Sequence, residues 1–299
     1  MLKPPTVDQG IAGLIELAIA EDLGGAGDRS AKTAIPDSLQ GIGCIVARSG
    51  GVIAGTFLVP EILRHYSTSL NWTARVNDSQ TIAPNGIVGE IAGPAAPLLS
   101  AERVVLNFLS HLSGIATLTS RYVALVRQVG AKTQVCDTRK TTPGWRILEK
   151  YAVRCGGGSN HRMGLYDGVM LKDNHLAALR NRLGKNLSLA QLTAEVRSKL
   201  PSEIPLWLEV DTLDQLAEAL LNGGADIILL DNMTPEQVTR AVEMRNRHHS
   251  SGRPLLEASG GITLDNLAAF AAAGVDRVSI GALTHSAPIL DLSMEFKNF

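Results

Sequence analysis

The sequence predicts an α/β protein in which a small antiparallel sheet is followed by a series of parallel βα units. Hydrophobic residues make up 45% of the 299 residues but aromatic residues only 4%. The core must therefore be built from Ala, Leu, Ile and Val, as in sheets that are covered on both faces. Short β-prone runs rich in turn residues precede residue 98, and strand patterns alternating with helical patterns follow residue 130.

The first predicted element is a helix over the stretch IAGLIELAIA at 11–20, which ends at the glycines at 24–25. The stretch contains Glu16, has no cationic residues before it and is too short to span a bilayer, so we expect neither a signal peptide nor a membrane anchor. A small antiparallel sheet with tight turns is predicted between about 41 and 98. Two helices are predicted next, at roughly 100–110 and 114–129.

The second half of the chain shows a regular βα rhythm. The predicted strands lie at 133–137, 168–172, 206–210, 226–231, 255–259 and 276–281. Helix starts are predicted at Thr212, Thr234 and Thr263. Thr234 is the best of them, because Pro235 stands in the first turn and Gln237 is positioned for a capping box. The stretches TLDQLAEALLNGGADIILLD and TLDNLAAFAAAGVDRVSIG repeat one helix–turn–strand unit. Such units indicate parallel strands in a barrel or an open α/β sheet.

Polar or flexible residues stand where the six predicted strands end. These residues are Asp137, Lys172, Glu209, Asp231, Ser259 and Gly281. The carboxyl ends of parallel strands share one face, which is where binding sites form in barrels and open sheets. We therefore expect a functional site at this face.

A basic segment within a near-neutral chain indicates a ligand with negative charge. The span 137–175 holds seven Lys/Arg and four Asp/Glu, a net of +3, whereas the whole chain has a net charge of −1. The overall balance argues against nucleic-acid or membrane binding. Arg139, Lys140, Arg162 and Lys172 would repel one another in a shared cleft unless an anion offsets their charge. The alternative, surface cations paired with nearby carboxylates, is the expectation for Arg146, Lys150 and Arg154, which share a helical stretch with Glu149.

Glu209 and Asp231 end neighbouring predicted strands, and two adjacent carboxylates usually share a cation or a proton. Mg²⁺ held together with ligand phosphates is one interpretation, proton transfer is a second, and pairing with lysines is a third. The glycine-containing loops 259–261 and 281–282 could hold a phosphate through backbone N–H groups, helped by a helix starting at Thr263. The cysteines show no metal-binding or disulfide spacing, so reduced, buried thiols and a cytoplasmic location are expected.

The motifs of the chain resemble those of the decarboxylating quinolinate phosphoribosyltransferases over nearly its whole length. They are EDLGGAGDRS, AERVVLNFLSHLSGIAT, DTRKTTPGWR, EKYAVRCGGGSNHRMGLYDGVMLKDNH, LEVD, LLDNM, EASGGI and SIGALTHS. The resemblance implies an N-terminal α/β sandwich at 1–112, joined by the C-terminal tail 287–299, and an incomplete parallel α/β barrel at 113–286. It also implies Mg²⁺-dependent transfer of ribose 5-phosphate from 5-phosphoribosyl-1-pyrophosphate (PRPP) to quinolinate, on the route to NAD.

The resemblance assigns roles residue by residue. Quinolinate would be held by Thr138, Arg139, His161, Arg162 and Lys172. Lys140 would face pyrophosphate, and Glu209 and Asp231 would serve the ribose and Mg²⁺. The 5-phosphate would be held by Ser259, Gly260, Gly261, Gly281 and Ala282, with His285 nearby. A homodimer or larger assembly is implied, in which Arg103 reaches the neighbouring subunit's site.

Three alternatives remain open from the sequence. A homologous group linked to molybdate transport shares the barrel and part of the TRK motif, although the fuller pattern here favours the quinolinate enzymes. Lys172 at a strand end could form a Schiff base, as in an aldolase-like barrel. A non-catalytic barrel that binds PRPP or an oxyanion would use the same cations without releasing pyrophosphate.

Overall fold

The computed structural model describes residues 2–184, 186–221, 224–248 and 253–298. The helices are α1 (Gln9–Leu23), α2 (Arg29–Ala34), α3 (Val59–Tyr66), α4 (Ala95–Gln128), α5 (Arg146–Cys155), α6 (Asp173–Leu183), α7 (Leu189–Arg197), α8 (Leu213–Leu220), α9 (Pro235–His248), α10 (Leu267–Ala272) and α11 (Ala282–His285). The strands are β1 (Gln40–Ala47), β2 (Gly51–Val52), β3 (Asn71–Ala74), β4 (Thr81–Ile82), β5 (Ile87–Pro94), β6 (Gln134–Cys136), β7 (Val169–Leu171), β8 (Leu206–Val210), β9 (Ile227–Asp231), β10 (Leu255–Ser259), β11 (Arg277–Ser279) and β12 (Leu292–Asn298).

The chain forms two compact units that interleave in sequence. The first comprises residues 1–120, 140–158 and 282–299, and the second comprises residues 121–139 and 159–281. Helix α4 contributes to both units, because the division falls between Ser120 and Arg121. The domain limits predicted from the sequence stay a prediction.

The first unit contains the antiparallel sheet that the turn-rich sequence predicts. Its strand order is β12-β1-β5-β3, and β2 pairs separately with β4. The C-terminal strand β12 pairs with β1 over most of its length, so the end of the chain completes the sheet that the N-terminal part begins. Helix α1 begins at an Asp8 cap and ends at Gly24, whose φ of 51° suits glycine.

The second unit is built on a six-stranded parallel sheet with the order β6-β11-β10-β9-β8-β7. Within the described residues the two end strands do not pair with each other, so the barrel is incomplete. Buried aliphatic side chains fill the strands, for example Leu208, Ile228 and Leu256, all 0% exposed. The predicted fold class is confirmed, and each predicted strand is present within one or two residues at its ends.

Two predictions about helices were wrong. The helices predicted at 100–110 and 114–129 are one continuous helix, because Leu112, Ile115 and Ala116 carry the buried stripe across the expected break. Gly114 is required there by close packing, since a Cβ atom would stand 2.2 Å from the carbonyl oxygen of Pro288.

The helix predicted to begin at Thr263 begins instead at Leu267, with Asn266 as its N-cap. Asn266 Oδ1 accepts the Thr263 N–H at 2.8 Å and closes a turn before the helix. The starts at Thr212 and Thr234 are confirmed, and both residues form capping boxes. The three cysteines are free and buried, as predicted. Among the described helices, none combines the length and hydropathy needed to cross a bilayer.

Candidate active site

The register of the parallel sheet places Asp231, Ser259 and Ser279 at one level and Glu209 one layer below them. Ser259 is opposite Asp231 on one side and opposite Ser279 on the other, and Ser279 is opposite Cys136. Glu209 is opposite Leu229, two residues before Asp231, so Glu209 and Asp231 point to the same face of the sheet. The expected gathering of strand ends is present in this unit.

Lys172 and Glu209 contact each other directly, one layer below Asp231. Leu171 pairs with Leu208 in the β7–β8 ladder, which places the next residues of both strands side by side. The Lys172 ammonium group donates a hydrogen bond to Glu209 Oε2, and the two side chains are 43% and 15% exposed. Lys172 also precedes α6 and serves as its N-cap residue. The pair places a cation and a carboxylate at one point of the strand-end face.

Arg162 is a cation held in a defined orientation and partly removed from water. Its Nη1 atom donates to the Gly168 carbonyl at 2.9 Å, and Nη2 lies 3.9 Å from Met170 Sδ. Burial lowers the pKa of the Arg162 guanidinium, and the positive charge of Arg139 lowers it further. Two neighbouring arginine side chains repel each other, and a bound anion would offset this repulsion. The two arginines therefore indicate an anion-binding site.

His161 lies beneath this pair of arginines with both ring nitrogens directed at protein groups. It is 6% exposed, and its Nδ1 atom accepts the backbone N–H of Arg162 at 2.7 Å. Its Nε2 atom lies 3.3 Å from Glu257 Oε1, and its ring stacks on Trp207 with centroids 4.6 Å apart. The backbone N–H of His161 donates to buried Asp137 at 2.9 Å. His161 is therefore a rigid part of the segment that presents Arg162.

The loop after β10 has the open backbone expected of a phosphate-binding loop. Gly260 and Gly261 have φ angles of 95° and 60°, which suit glycine rather than residues with a Cβ atom. A Cβ atom on Gly260 would stand 2.1 Å from Asn232 Oδ1. Asn232 itself has φ of 52°, and its side-chain amide donates to Asp231 at 2.8 Å. The loop and the Asp231 carboxylate are thus fixed by the same residue.

Four of the sequence-predicted residues lie in the first unit, namely Arg103, Lys140, Ala282 and His285. The side chain of Arg103 on α4 is 64% exposed. His285 is exposed at the end of α11, with Nδ1 2.7 Å from Ser286 Oγ, and Ala282 begins that helix.

The segment that carries exposed Lys140 is held by neighbouring side chains of the first unit. The Thr284 hydroxyl donates to the Lys140 carbonyl at 2.7 Å. Glu149 accepts the Thr142 N–H at 3.1 Å and lies 3.0 Å from His111 Nε2. The prediction that Lys150 is a surface cation was wrong, since Glu149 and Lys150 are both 0% exposed. The stretch is a buried part of α5, and Glu149 serves the loop before it.

The second unit can hold a small polyanion and, with it, a divalent cation. Arg139, Arg162 and Lys172 supply positive charge, and the Ser259–Gly261 loop supplies backbone N–H groups. Within the described residues there is no cluster of three or more potential metal ligands. Glu209 and Asp231 on one face fit a different kind of site, because Mg²⁺ is commonly bound by one or two carboxylates together with substrate phosphates.

Sequence reasoning missed the buried polar groups below the strand ends. Glu257 and Arg277 are opposite each other in the β10–β11 ladder, two residues before Ser259 and Ser279. Glu257 is 0% exposed, and Arg277 Nε lies 3.1 Å from its Oε2 atom. The signal available was a charged residue inside a predicted buried strand, which rarely occurs without a partner.

Family models match almost the whole chain. The model described as "Quinolinate phosphoribosyl transferase, N-terminal domain" matches residues 28–113. The model described as "Quinolinate phosphoribosyl transferase, C-terminal domain" matches residues 115–295.

Relatives and solved structures agree with these matches. The chain is 43% identical, over 84% of its length and 82% of the relative's, to a probable nicotinate-nucleotide pyrophosphorylase (carboxylating) of Bacillus subtilis. It is 40% identical to a nicotinate-nucleotide pyrophosphorylase (carboxylating) of Mycobacterium leprae, over 94% of this chain and 95% of that one. The crystal structure of NadC from Streptococcus pyogenes matches 100% of both chains with a TM-score of 0.88 and 35% identity.

Proposed function

The chain belongs to the quinolinate phosphoribosyl transferase family, and from this we propose that it joins quinolinate to PRPP. The products are nicotinate mononucleotide, pyrophosphate and carbon dioxide, in the synthesis of NAD. The observation that carries the proposal most directly is the set of cationic groups in the second unit, where Arg139 lies near enough to Arg162 to lower its pKa and Lys172 contacts Glu209. A dicarboxylate and a polyphosphate are the substrates that such a charge arrangement suits.

The chemistry requires positioning more than covalent help from the protein. The ring nitrogen of quinolinate attacks the anomeric carbon of PRPP, and the bond from that carbon to pyrophosphate breaks through a cationic, oxocarbenium-like state. Aligning two bound reactants can lower the barrier by roughly 7–11 kcal/mol. The side chains proposed to align quinolinate are those of Arg139, Arg162 and Lys172, with Thr138 and His161 in the same set.

The second step follows from the charge that the first step creates. The alkylated ring nitrogen is positive, so the carboxylate on the adjacent carbon can leave as carbon dioxide. The electron pair left behind is stabilised by the neighbouring cation and then takes up a proton. The cationic groups that grip the other carboxylate keep the ring in place while this bond breaks.

A further set of residues is proposed for the pyrophosphate and ribose 5-phosphate groups of PRPP. Lys140 is proposed to face the pyrophosphate, and Ser259, Gly260, Gly261, Gly281 and Ala282 are proposed to hold the 5-phosphate, with His285 nearby. Glu209 and Asp231 are proposed to serve the ribose and to hold Mg²⁺ together with the phosphates. When bound, Mg²⁺ supplies charge stabilisation for the departing pyrophosphate. A cytoplasmic location and a homodimeric or larger assembly, with Arg103 reaching a neighbouring site, complete the proposal.

The direct test is a product assay with isotopically labelled quinolinate. Purified protein is given quinolinate labelled in the 2-carboxylate, with PRPP, and with or without Mg²⁺. We expect equal amounts of labelled carbon dioxide and pyrophosphate, both dependent on Mg²⁺. Nicotinate, which lacks the 2-carboxylate, serves as the matched control substrate and should release little pyrophosphate. A folded protein that releases neither product from quinolinate would contradict the proposal.

The metal assignment has its own test. The double variant Glu209→Ala with Asp231→Ala should lose Mg²⁺-dependent turnover while it keeps quinolinate binding. Binding is measured by calorimetry without PRPP, and folding by thermal melting. Activity that persists and still responds to Mg²⁺ would place the metal on other residues.

A further inference from the structure

A buried charged network lies directly beneath the strand-end face of the second unit. Glu257 sits one layer below Ser259 on β10, with no exposed surface. Arg277 lies 3.1 Å from one of its oxygens, and the Trp207 indole N–H donates to the same oxygen at 3.3 Å. The guanidinium of Arg277 also lies over the Trp207 ring, 5.9 Å from its centroid. Its Nη2 atom is 3.3 Å from Cys136 Sγ.

The Glu257 carboxyl group and the Arg277 guanidinium group face each other within this network. Burial opposes ionisation of Glu257, but His161, Arg277 and Ser279 together outweigh burial and hold the pKa of Glu257 below its usual range. Burial raises the pKa of Cys136 to about 12, so this thiol is neutral. Glu257 is thus an anion whose charge is met by Arg277, with the second oxygen facing His161.

The ring of His161 contacts both this network and Arg162, which is proposed to bind quinolinate. Its Nδ1 atom accepts the Arg162 N–H and therefore carries no proton, so the proton of the neutral ring is on Nε2. That N–H faces Glu257 Oε1 at 3.3 Å. Trp207 covers one face of the ring. A carboxylate that faces one nitrogen of a histidine selects the tautomer in which the other nitrogen is an acceptor.

We infer that Glu257 and Arg277 are positioning residues for quinolinate, because they fix the tautomer and orientation of His161 and through it the backbone of Arg162. The inference rests on the proposed function. It gives His161 a specific part in the quinolinate set: its ring holds the residue that grips the substrate, and its two nitrogens serve protein partners.

A role confined to stability would not require this arrangement. Buried ion pairs are often replaced by well-packed apolar residues with little or no loss of stability. An apolar pair at 257 and 277 would fill the same layer. Such a pair would remove the carboxylate that His161 Nε2 faces, so the ring would lose the contact that orients it on that side.

The test uses the charge-neutral double variant Glu257→Met with Arg277→Met, which avoids leaving one buried charge uncompensated. We expect the dissociation constant for quinolinate, measured by calorimetry, to rise about tenfold or more, the scale on which supporting partners of ligand-holding groups act. The KM for PRPP should change less than about twofold, since its proposed contacts lie on other residues. Glu257→Asp, which keeps the charge but shortens the side chain, should show an intermediate loss.

A matched control is available in the same unit. Arg245 and Asp276 form another ion pair at 2.8 Å, partly buried and located where β10 and β11 begin rather than where they end. The double variant Arg245→Met with Asp276→Asn should lower the melting temperature without changing quinolinate affinity. ¹⁵N spectra of His161 give a readout independent of turnover. The wild-type ring should show a protonated Nε2 and an unprotonated Nδ1, and the Glu257/Arg277 double variant should lose this preference.

The results of these experiments distinguish failure of this inference from failure of the proposed function. Quinolinate affinity that is unchanged in the Glu257/Arg277 double variant would overturn the inference, as would equal losses for quinolinate and PRPP. A wild-type ring in the other tautomer would do the same. If the wild-type protein itself neither binds quinolinate nor releases pyrophosphate, the proposed function fails, and that failure is visible before any variant is made.

Discussion

At the scale of single residues, the two arginines provide the sharpest expectation. Arg162 is oriented by the Gly168 carbonyl and is partly removed from water, and the positive charge of Arg139 nearby lowers its pKa further. Arg162→Ala or Arg139→Ala should each weaken quinolinate binding by about 1.5–3 kcal/mol, the scale of hydrogen bonds to charged groups. That loss corresponds to about 10- to 150-fold in the dissociation constant, measured by calorimetry.

The control for this prediction is an arginine that makes an ion pair elsewhere. Arg48 directly follows β1 in the first unit, lies 2.8 Å from Glu295 on β12 and is 44% exposed. Arg48→Ala should leave quinolinate affinity unchanged, because exposed ion pairs contribute little and act locally. Wild-type affinity in both Arg139→Ala and Arg162→Ala would show that the substrate carboxylates bind elsewhere.

The sequence correctly predicted the location of individual residues where a charged residue stands at the end of a strand. Lys172 and Glu209 were expected at the strand-end face, and they contact each other there. Glu257 stands inside a strand, and its partners at positions 161, 207 and 277 are far away in sequence. Only the register of three strands brings these groups together, so no local pattern could have predicted the network.

At the scale of elements, the conformation of the loop after β10 depends more on Gly260 than on Gly261. Gly260→Ala would place a Cβ atom 2.1 Å from Asn232 Oδ1 at a φ of 95°. A residue forced into this region is strained by about 1–3 kcal/mol, and relief of the clash must move Asn232 or the loop. We therefore expect a raised KM for PRPP together with a lower melting temperature, measured by initial rates and thermal unfolding.

Gly274→Ala is the matched control for the effect of strain alone. Gly274 also has a positive φ, 84°, but a Cβ atom there would meet only Val242 at 3.7 Å. This variant should lose a comparable amount of stability while the KM for PRPP stays at the wild-type value. Equal KM values for Gly260→Ala and wild type would contradict the assignment of the loop to the 5-phosphate.

The last strand of the chain provides a pH-dependent element. Hydrogen bonds from Lys297 on β12 and from Arg75 lower the pKa of Glu90 on β5 to about 2. A carboxylate with a depressed pKa contributes stability above its unfolded pKa of about 4.3 and loses it as the pH falls toward the folded value. The free energy of unfolding should therefore decline between about pH 4.5 and 2, and Glu90→Gln should flatten that decline.

The variant Lys297→Met distinguishes the effect of this ion pair from the effects of the other acidic residues of the chain. Removal of the ammonium group should raise the pKa of Glu90 toward its ordinary value, which carboxyl NMR titration measures directly. An unchanged pKa in Lys297→Met would mean that the lysine does not hold the C-terminal strand through Glu90. The readout is local, so it does not depend on the overall cooperativity of unfolding.

Helices could be predicted from the sequence where the capping residues and the hydrophobic periodicity indicated the same boundaries. The capping box at Thr234 combines side-chain and backbone bonds within four residues, which the sequence alone specifies. The break predicted near residue 112 failed because Gly114 serves packing against Pro288, which is far away in sequence. The start at Thr263 failed because Asn266 takes over the cap. Neighbouring residues predict where a helix begins or ends, unless a contact with a residue distant in sequence or a second possible N-cap residue changes that boundary.

At the scale of the whole molecule, the fold class followed from composition and from the repeated helix–turn–strand unit. What could not be predicted from such patterns is the division of the chain, because residues 140–158 and 282–299 group with the first 120 residues. The predicted site residues consequently fall into both units, with Arg139 in one and Lys140 in the other.

The proposed assembly has a prediction of its own, because Arg103 is assigned to a neighbouring subunit's site. The side chain of Arg103 is 64% exposed and approaches Glu102 only at 3.9 Å, so it can engage another subunit without breaking a strong contact. Arg103→Ala and Lys172→Ala should each be nearly inactive alone. Mixed and reassembled in equal amounts, random dimers should regain about a quarter of the wild-type sites, since each mixed dimer keeps one intact site.

The measurement is specific activity after mixing, with differently tagged subunits to count the mixed dimers. Arg103→Ala mixed with Arg103→Ala under another tag is the matched control and should regain nothing. If Arg103 acts within its own subunit, the mixed dimers contain two defective sites and stay inactive. Recovery that scales with the fraction of mixed dimers can arise only when the two residues serve one site from different chains. Proven mixed dimers without activity would confine Arg103 to its own subunit and remove the case for a shared site.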